Sequence, residues 1–555
     1  MVRALAAGSS ATHEVTNQPP PLPPYDASDD AALLEGLRRE GAGWAEADVR
    51  RVGRLAGSAE GQRWAEDADR HEPELRTHDR FGERIDEVEF HPSWHNLMRT
   101  AVAEGLAGAV WADGRPGAHV ARTATGLVWG HTEAGHLCPM AMTYAAVPTL
   151  RHQPDLAAVY EPLLASRVYD PGLAVPAGKR GLLAGMGMTE KQGGSDVRAN
   201  STVATPAGED GVYTLRGHKW FTSAPMCDLF LVLAQAPGGL SCFLLPRVLP
   251  DGTRNVFRIQ RLKDKLGNRS NASSEPEFDG TVAWLVGGEG QGVKTIIDMV
   301  NLTRLDCVMA TATLMRRTLV EAGHHARHRA AFGRRLLDQP LMRNVLADLA
   351  LESEAATALA LRLAGATDRA LAGDQGERAL RRIATAAGKY WVTKRGPAFT
   401  AEALECLGGN GYVEESGMPR HYREAPLLSI WEGSGNVNAL DALRALAREP
   451  GTRDALFGEL ALARGGDARL DAAVTRLRDD LADAEGIEAR ARRLVERIAL
   501  TLQGSLLVRH APPAVADAFC ATRLGGDWGH AYGTLPRSAD VTAILTRALP
   551  ARAGD

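Results

Sequence analysis

The chain has 555 residues, enough for three or four domains and a large core. Hydrophobic residues are 45%, charged residues 24%, and the formal net charge is -4. That ordinary globular balance argues against a chain given over to nucleic acid or membrane, although a local charged patch can hide inside a neutral total. The six cysteines are scattered, without metal-finger or Cys-x-x-Cys spacing. They read as reduced and structural, so the expected location is cytoplasmic. The sequence carries no apolar signal core and no uninterrupted 18-residue apolar run, and no membrane association is expected.

Residues 1–27 are polar and Pro-rich, with Pro19-Pro-Pro-Leu-Pro-Pro24, and read as an extended arm. Such an arm lies on a neighbouring subunit or stays disordered. A helical domain follows over 28–181. Ser28 and Asp29 can cap a helix over 31–39, and helical runs recur around 94–110, 126–147 and 156–166. Pro and Gly at 171–178 mark a boundary. Over 182–290 the texture changes to strands. The apolar runs 228–236 and 240–246 are split by Gly238-Gly239, and Asp210-Gly211 and Asp251-Gly252 are further turns. A small antiparallel β-domain is expected there. A helical bundle follows over 291–445. In Leu341, Val345 and Leu349 the apolar residues repeat as one packed helix face requires. The last segment, 446–555, is helical by pattern. The expected fold class is mainly α with a central β-domain.

Three stretches carry chemistry. Leu428–Asn436 places Glu432 in an apolar run, followed by Gly433, Ser434 and Gly435. A carboxylate between Ile430 and Trp431 should be poorly solvated, which raises its pKa toward that of a general base; a surface Glu in a helix-to-helix turn is the plainer reading. Thr189–Asp196 joins hydroxyls and adjacent glycines where the β-domain begins. Gly193, Gly194 and Ser195 offer N–H groups and a hydroxyl to a phosphate or a polar ring edge, or form an ordinary tight loop. On the strand Gly217–Ser223, Phe221 suits the face of a flat heterocycle and Ser223 its edge; otherwise both are plain strand packing.

Taken together these residues resemble the acyl-CoA dehydrogenase superfamily of flavoproteins. Five ordered motifs carry the resemblance over roughly 90–445: Thr189-Glu-x-x-x-Gly-Ser-Asp196, Gly217-x-Lys-x-Phe-x-Ser223, Arg329-x-x-Phe332-Gly333, Gly408-Gly-Asn-Gly411 and Glu432-Gly-Ser434. Gly187–Asp196, Leu262–Ser274, Arg327-His-Arg329, Trp431–Ser434, Asn17-Gln-Pro-Pro20 and Asp86–Pro92 are typical of its AidB-type, alkylation-response branch, and extend the resemblance to nearly the whole chain. The resemblance implies a helical domain, an antiparallel β-domain and a four-helix bundle, with an extra helical domain at the C-terminus. It implies bound FAD, touched by Met186, Met188, Thr189, Gly194, Ser195, Phe221, Thr222, Ser223, Ser434 and Asn436, with Arg329 and Phe332 reaching the FAD of a neighbouring subunit in a homotetramer. It implies Glu432 as the catalytic base for an acyl-CoA thioester. In a minority of the family the base lies just before Arg304; this chain has Thr303 there.

The same resemblance implies duplex DNA binding by the C-terminal segment, which carries arginine and no lysine. By charge alone that segment reads as a solvated, salt-bridged helix, with Arg490, Arg493 and Arg497 on one face and Asp479, Asp480, Asp483 and Glu488 on another. Arg444, Arg493, Arg497, Arg509 and Arg523 are the phosphate-contact candidates, since the planar guanidinium fork suits phosphate. The expected role is a DNA-protecting flavoprotein with weak dehydrogenase activity; the alternative is a metabolic acyl-CoA dehydrogenase without DNA. Two patterns are set aside. Gly288–Gly292 lacks full dinucleotide-loop spacing. His324 and His328 have metal-ligand spacing but no carboxylate ligand in view, so no metal is expected.

Overall fold

A computed structural model describes residues 12–550. The first eleven residues of the arm and 551–555 of the C-terminal segment lie outside the described residues. The arm from 12 onward packs on its own chain: Asn17 bonds to Ala330 in both directions at 2.8 Å, and His324 Nε2 reaches the Pro20 carbonyl at 2.8 Å. Helix α1 (Ala31–Arg39) is capped by Asp30, whose carboxylate accepts the Ala32 N–H. The expected cap, Ser28, is buried and instead gives its N–H and hydroxyl to Asp26. Helices α2 (Glu46–Ala56) and α3 (Ala59–Arg70) follow.

An unexpected hairpin comes next, β1 (Glu74–His78) with β2 (Arg84–Glu89). After α4 (Pro92–Ala103), the expected helix 126–147 is two helices, α5 (Ala118–Trp129) and α6 (Leu137–Leu150). Glu133 forms the break between them. Its buried carboxylate accepts the N–H groups of Gly135 and His136 at 2.6 and 2.9 Å. Helix α7 (Pro154–Leu164) closes the first domain.

The β-domain comprises β3 (Ala184–Gly187), β4 (Val203–Pro206), β5 (Val212–His218), β6 (Thr222–Ser223), β7 (Leu229–Ala236), β8 (Gly239–Pro246), β9 (Arg258–Leu262) and β10 (Ser273–Val286). It is not wholly antiparallel: β3 runs parallel to β7, and β4 meets β7 in one parallel pair. The long chain path between β3 and β7 makes the parallel pairing possible. Strand β10 is the spine and pairs with β5, β6, β8 and β9. The β7–β8 hairpin turns through Pro237-Gly238, one residue before the expected Gly238-Gly239, because Gly239 already pairs with Ala236.

Helix α8 (Gly292–His328) is 37 residues long. A two-rung hairpin, β11 (Ala330–Ala331) with β12 (Arg334–Arg335), leads to α9 (Pro340–Leu371) and α10 (Gln375–Glu405). Along the face predicted from Leu341, Val345 and Leu349, Leu349 is buried, Val345 half-buried and Leu341 81% exposed, so the packed stripe begins one turn late. Helices α11 (Met418–Leu428) and α12 (Gly435–Arg448) frame the Glu432 loop. The C-terminal helices are α13 (Thr452–Ala461), α14 (Ala468–Ala482), α15 (Ala491–His510), α16 (Pro513–Phe519) and α17 (Val541–Ala548). They pack on the bundle, with α15 against α9, α10 and α12 and α17 against α9.

One expectation for this segment is overturned. Arg523 lies in a buried π-helical turn, and its side chain is fully enclosed. It pairs with Asp348 and Glu352, one turn apart on α9, and Arg395 also approaches Glu352 at 3.4 Å. Arg523 joins the C-terminal helices to the bundle and offers nothing to a phosphate. Removing one partner of a buried ion pair leaves uncompensated charge. Arg523→Ala should therefore lower the unfolding free energy by about 3–5 kcal/mol in urea titration. A loss within experimental error would show that this network does not hold the segment.

Candidate active site

Glu432 sits in the turn between α11 and α12 with φ +57°, a conformation that a non-glycine residue adopts only when its surroundings impose it. They do so through every neighbouring carbonyl. Lys389 of α10, 1% exposed, donates to the carbonyls of Trp431 at 2.8 Å and Gly433 at 2.6 Å. Arg304 Nε donates to the Glu432 carbonyl at 3.0 Å, and Asn438 Nδ2 to that of Gly433 at 2.5 Å. Arg304 is in turn fixed by Asp441, which also takes Arg382. Gly433 is required here: its φ is +95°, and an added Cβ would lie 3.0 Å from Val437.

The Glu432 side chain is half-buried, and Thr303 Oγ1 of α8 donates to its Oε2 at 2.6 Å. Burial raises its pKa above the usual carboxylate value, and the Thr303 hydroxyl opposes that rise. Ile430 is not the cause, because it is 62% exposed. Trp431, packed against Leu314, Ala425 and Leu428, supplies the apolar wall. Among the described residues no backbone carbonyl accepts the Glu432 N–H.

The two upstream motifs are stapled to each other. The Trp220 N–H donates to the Thr189 carbonyl at 2.8 Å. Beneath it Lys219 and Glu190, both fully buried, pair at 2.7 Å, and Glu190 also takes the N–H groups of Ser201 and Thr202. Glu190 is thus a strut, held ionised with its pKa well below the usual range by Lys219 and these donors, against the opposing effect of its burial. Around the strut, Met186, Met188 and Thr189 are half-buried, Gly194 and Ser195 lie on an exposed loop, and Phe221 shows 52% of its surface. An added Cβ at Gly194 would meet Thr189 Oγ1 at 2.5 Å. Thr222 faces the other way. It is 1% exposed and its hydroxyl is enclosed, so it can serve a ligand only through its backbone. A half-exposed ring beside an open glycine loop and a hydroxyl fits a flat, polar-edged cofactor.

Cys138 of α6 links the two halves of the site. Burial pushes its thiol up to about 12, with the Ser223 hydroxyl opposing that rise from one side and the Glu432 charge adding to it from the other. Ser434 takes the N-cap position of α12 without a capping bond, and exposed Asn436 accepts from Arg492 Nε at 2.8 Å. Sequence reasoning missed Lys389, Asn438 and Asp441. The only signal for Lys389 was a lone cation in the apolar stretch Ala386–Val392.

Arg329 and Phe332 are not brought to this site. Thr303 and Arg329 are separated by the length of α8, about 39 Å at 1.5 Å per residue. Phe332 stands at the tip of the β11–β12 hairpin, fully exposed at φ +52°. Arg329 donates to the Asn17 carbonyl at 2.6 Å, and Asn410 to Gln18 at 3.1 Å. The arm therefore ties the Phe332 hairpin to the glycine loop at 408–411, of which Gly408, Gly409 and Asn410 are exposed.

The other arginine candidates differ among themselves. Arg497 pairs with Asp480 and Arg509 with Glu459, so both are engaged within the chain. Arg490 pairs with Asp483 at 3.0 Å, so the acidic and basic faces meet rather than segregate. Arg493 is exposed, and Arg444, 58% exposed in its side chain, is held only loosely by Asp441 at 3.4 Å.

Residues 17–171 match the adaptive response protein AidB N-terminal domain, 185–281 the acyl-CoA dehydrogenase middle domain and 290–447 the acyl-CoA dehydrogenase C-terminal domain. AidB of Escherichia coli (strain K12) is 46% identical over 519 residues, covering 92% of this chain and 94% of that protein. Acyl-CoA dehydrogenase family member 11 of Caenorhabditis elegans is 32% identical, over 68% of this chain and 63% of its own. Among solved structures, Caenorhabditis elegans ACDH-11 in complex with C11-CoA superposes with a TM-score of 0.84, at 28% identity and 94% coverage of both chains.

The Thr303 bond stabilises the charged form of Glu432, so its loss should raise the carboxyl pKa further. Thr303→Val is expected to move the Glu432 titration to higher pH in infrared difference spectra. An unchanged or lowered titration would mean that the hydroxyl does not face the carboxylate in solution.

Proposed function

We propose that this chain, which belongs to the AidB branch of the acyl-CoA dehydrogenase family, oxidises an acyl-CoA thioester with Glu432 as base, in a homotetramer that also binds duplex DNA. The family makes it an FAD-dependent oxidoreductase. The observation that carries the catalytic part is Glu432 itself: a part-buried carboxylate of raised pKa on a turn whose carbonyls are all held from behind.

The reaction breaks two C–H bonds of the acyl chain. The Cα proton goes to the Glu432 carboxylate, whose raised basicity suits the task. The Cβ hydrogen leaves as hydride, and the electron pair of the Cα–H bond becomes the Cα=Cβ bond. FAD, when bound, supplies the hydride acceptor. The Glu432 N–H, free of a backbone partner among the described residues, can donate to the thioester oxygen as enolate charge develops. Phe221 would lie against the cofactor ring and Ser223 at its edge. Thr189, Gly194, Ser195, Met186 and Met188 would line it, the Thr222 backbone would support it, and Ser434 and Asn436 would close the far side. The C11-CoA complex of the Caenorhabditis elegans neighbour supports an acyl-CoA ligand. Arg329 and Phe332, a helix length away, would complete the cofactor site of a neighbouring subunit.

For DNA, the exposed arginines Arg444 and Arg493, with Arg492 beside Asn436, support backbone contacts without base readout. The membership in the AidB branch favours a role in protection from alkylation over a purely metabolic one.

Glu432→Gln should cut acyl-CoA oxidation by about 10²–10⁴-fold while FAD stays bound. Wild-type turnover in that variant would place the base elsewhere. Duplex binding in gel-shift titrations should fall steeply with salt, with a log–log slope of about -0.9 per phosphate contact. The double variant Arg444→Ala, Arg493→Ala should flatten it. An unaltered slope would remove these arginines from the interface, and absence of wild-type binding would remove the DNA role.

A further inference from the structure

We propose that the polar cavity beyond Glu432 is the tail pocket of the acyl site, and that it selects a thioester whose acyl chain ends in a neutral hydrogen-bonding group, a hydroxyl or a primary amide. This rests on the reading of Glu432 as the base.

The geometry begins on α8. Thr303, Cys307, Ala310 and Leu314 recur at three- and four-residue steps and share one helix face. Thr303 holds the base; Ala310 and Leu314 pack with Trp431, its chain neighbour. At 1.5 Å per residue, Ala310 lies about 10 Å and Leu314 about 16 Å along the helix from Thr303. At that depth lies a cavity of about 30 Å³. Ala310 and Leu314 form its near wall; Asp69, Arg420, His421 and Glu424 line its far side. An acyl chain running along the stripe from the base would meet apolar walls first and this polar end last.

The far wall is under-partnered. Nε and Nη1 of Arg420 and Nε2 of His421 are buried without a hydrogen-bond partner among the described residues. His421 is 5% exposed. Arg420 is fixed through Nη2, which donates to the Thr132 carbonyl at 3.2 Å. Opposite, Asp69 has its nearest cation, Arg423, at 3.8 Å, and Glu424 takes one bond, from Asn268 at 2.8 Å. Burial pushes Glu424 up to about 7 and raises Asp69, outweighing the cations near them, Lys265 for the first and Arg420 for the second. Buried polar atoms without partners call for a water or a ligand group.

The lining also sets the kind of group. A methyl end would leave four buried nitrogens unpaired, since Nε of Arg317, which also lines the cavity, lacks a partner as well. A carboxylate end would add negative charge beside Asp69 and the ionised Glu133, whose two charges the lining cations Arg317 and Arg420 already balance. A hydroxyl or an amide both accepts, from Arg420, and donates, to Glu424. The volume, about one water molecule, suits a small terminus.

The test is a titration of the FAD-loaded Glu432→Gln protein, whose turnover is slowed by about 10²–10⁴-fold, with acyl-CoA esters matched in length across a series. Their chains end in methyl, hydroxymethyl, carboxamide or carboxylate. Binding is followed by the change in flavin absorbance and by calorimetry. The hydroxyl- and amide-ended esters should bind at least about tenfold tighter than the methyl- and carboxylate-ended ones, because a site built to hydrogen-bond discriminates against analogues that cannot. Arg420→Met, and independently His421→Phe, should erase that preference while the methyl-ended ester still binds. Equal or tighter binding of the methyl ester would mean that the cavity holds only water, and tighter carboxylate binding that it is an anion pocket; either overturns the tail pocket and leaves Glu432 untouched. Failure of every ester to bind would overturn the acyl-CoA reading and this inference together.

Discussion

A buried ammonium group organises the centre of this protein. Lys389 points from α10 into the turn between α11 and α12 and is shared by the carbonyls of Trp431 and Gly433. Burying an amine is costly, and here burial, helped by the nearby Arg304 and Lys394 charges and opposed by Glu432, pulls its pKa down to about 8. Two carbonyl dipoles offset that cost; hydrogen bonds to a charged group contribute about 1.5–3 kcal/mol each. Arg304 and Asn438 extend the same pattern to the carbonyls of Glu432 and Ser434. These donors hold the left-handed backbone at Glu432 in place. That conformation turns its N–H and carboxylate into the site, and three helices are fixed relative to one another in the process.

The length of α8 imposes the second constraint. One end presents Thr303 to the base, and the other ends in a hairpin with a bare phenylalanine. Both non-glycine residues with positive φ in the predicted site, Glu432 and Phe332, sit at these two ends. A single chain holds these ends apart, and it is in the proposed homotetramer that Arg329 and Phe332 would serve a neighbour's site. The arm, through Asn17 and Gln18, fixes the outward-facing end on its own chain.

Motifs whose chemistry is local were legible in the sequence. The glycine loop near 193–195, the Phe221–Ser223 alternation and the β7–β8 hairpin depend on a few adjacent residues, and the structure shows an exposed loop, a half-exposed Phe221 and a tight turn there. What depends on distant partners was not legible. Arg523 looks like any helix-face arginine until Asp348 and Glu352 of α9 enclose it. The β1–β2 hairpin is rich in charge on both strands, so it lacks the apolar alternation that betrays a strand. Ile430 and Trp431 are neighbours in sequence, yet one faces solvent and the other a wall, because the turn after α11 separates them. Glu190 was read as part of a ligand loop and proves to be a strut, a role set by Lys219 twenty-nine residues away.

The central claim is that Glu432, and not the neighbouring buried carboxyl of Glu424, takes the Cα proton. Exchange of the Cα hydrogens of a bound thioester that cannot be oxidised, measured in heavy water, isolates that step from hydride transfer. Wild-type protein and Glu424→Gln should both exchange them, while Glu432→Gln should bind the same thioester and leave its Cα hydrogens in place. Wild-type exchange in Glu432→Gln, or its loss only in Glu424→Gln, would contradict the account.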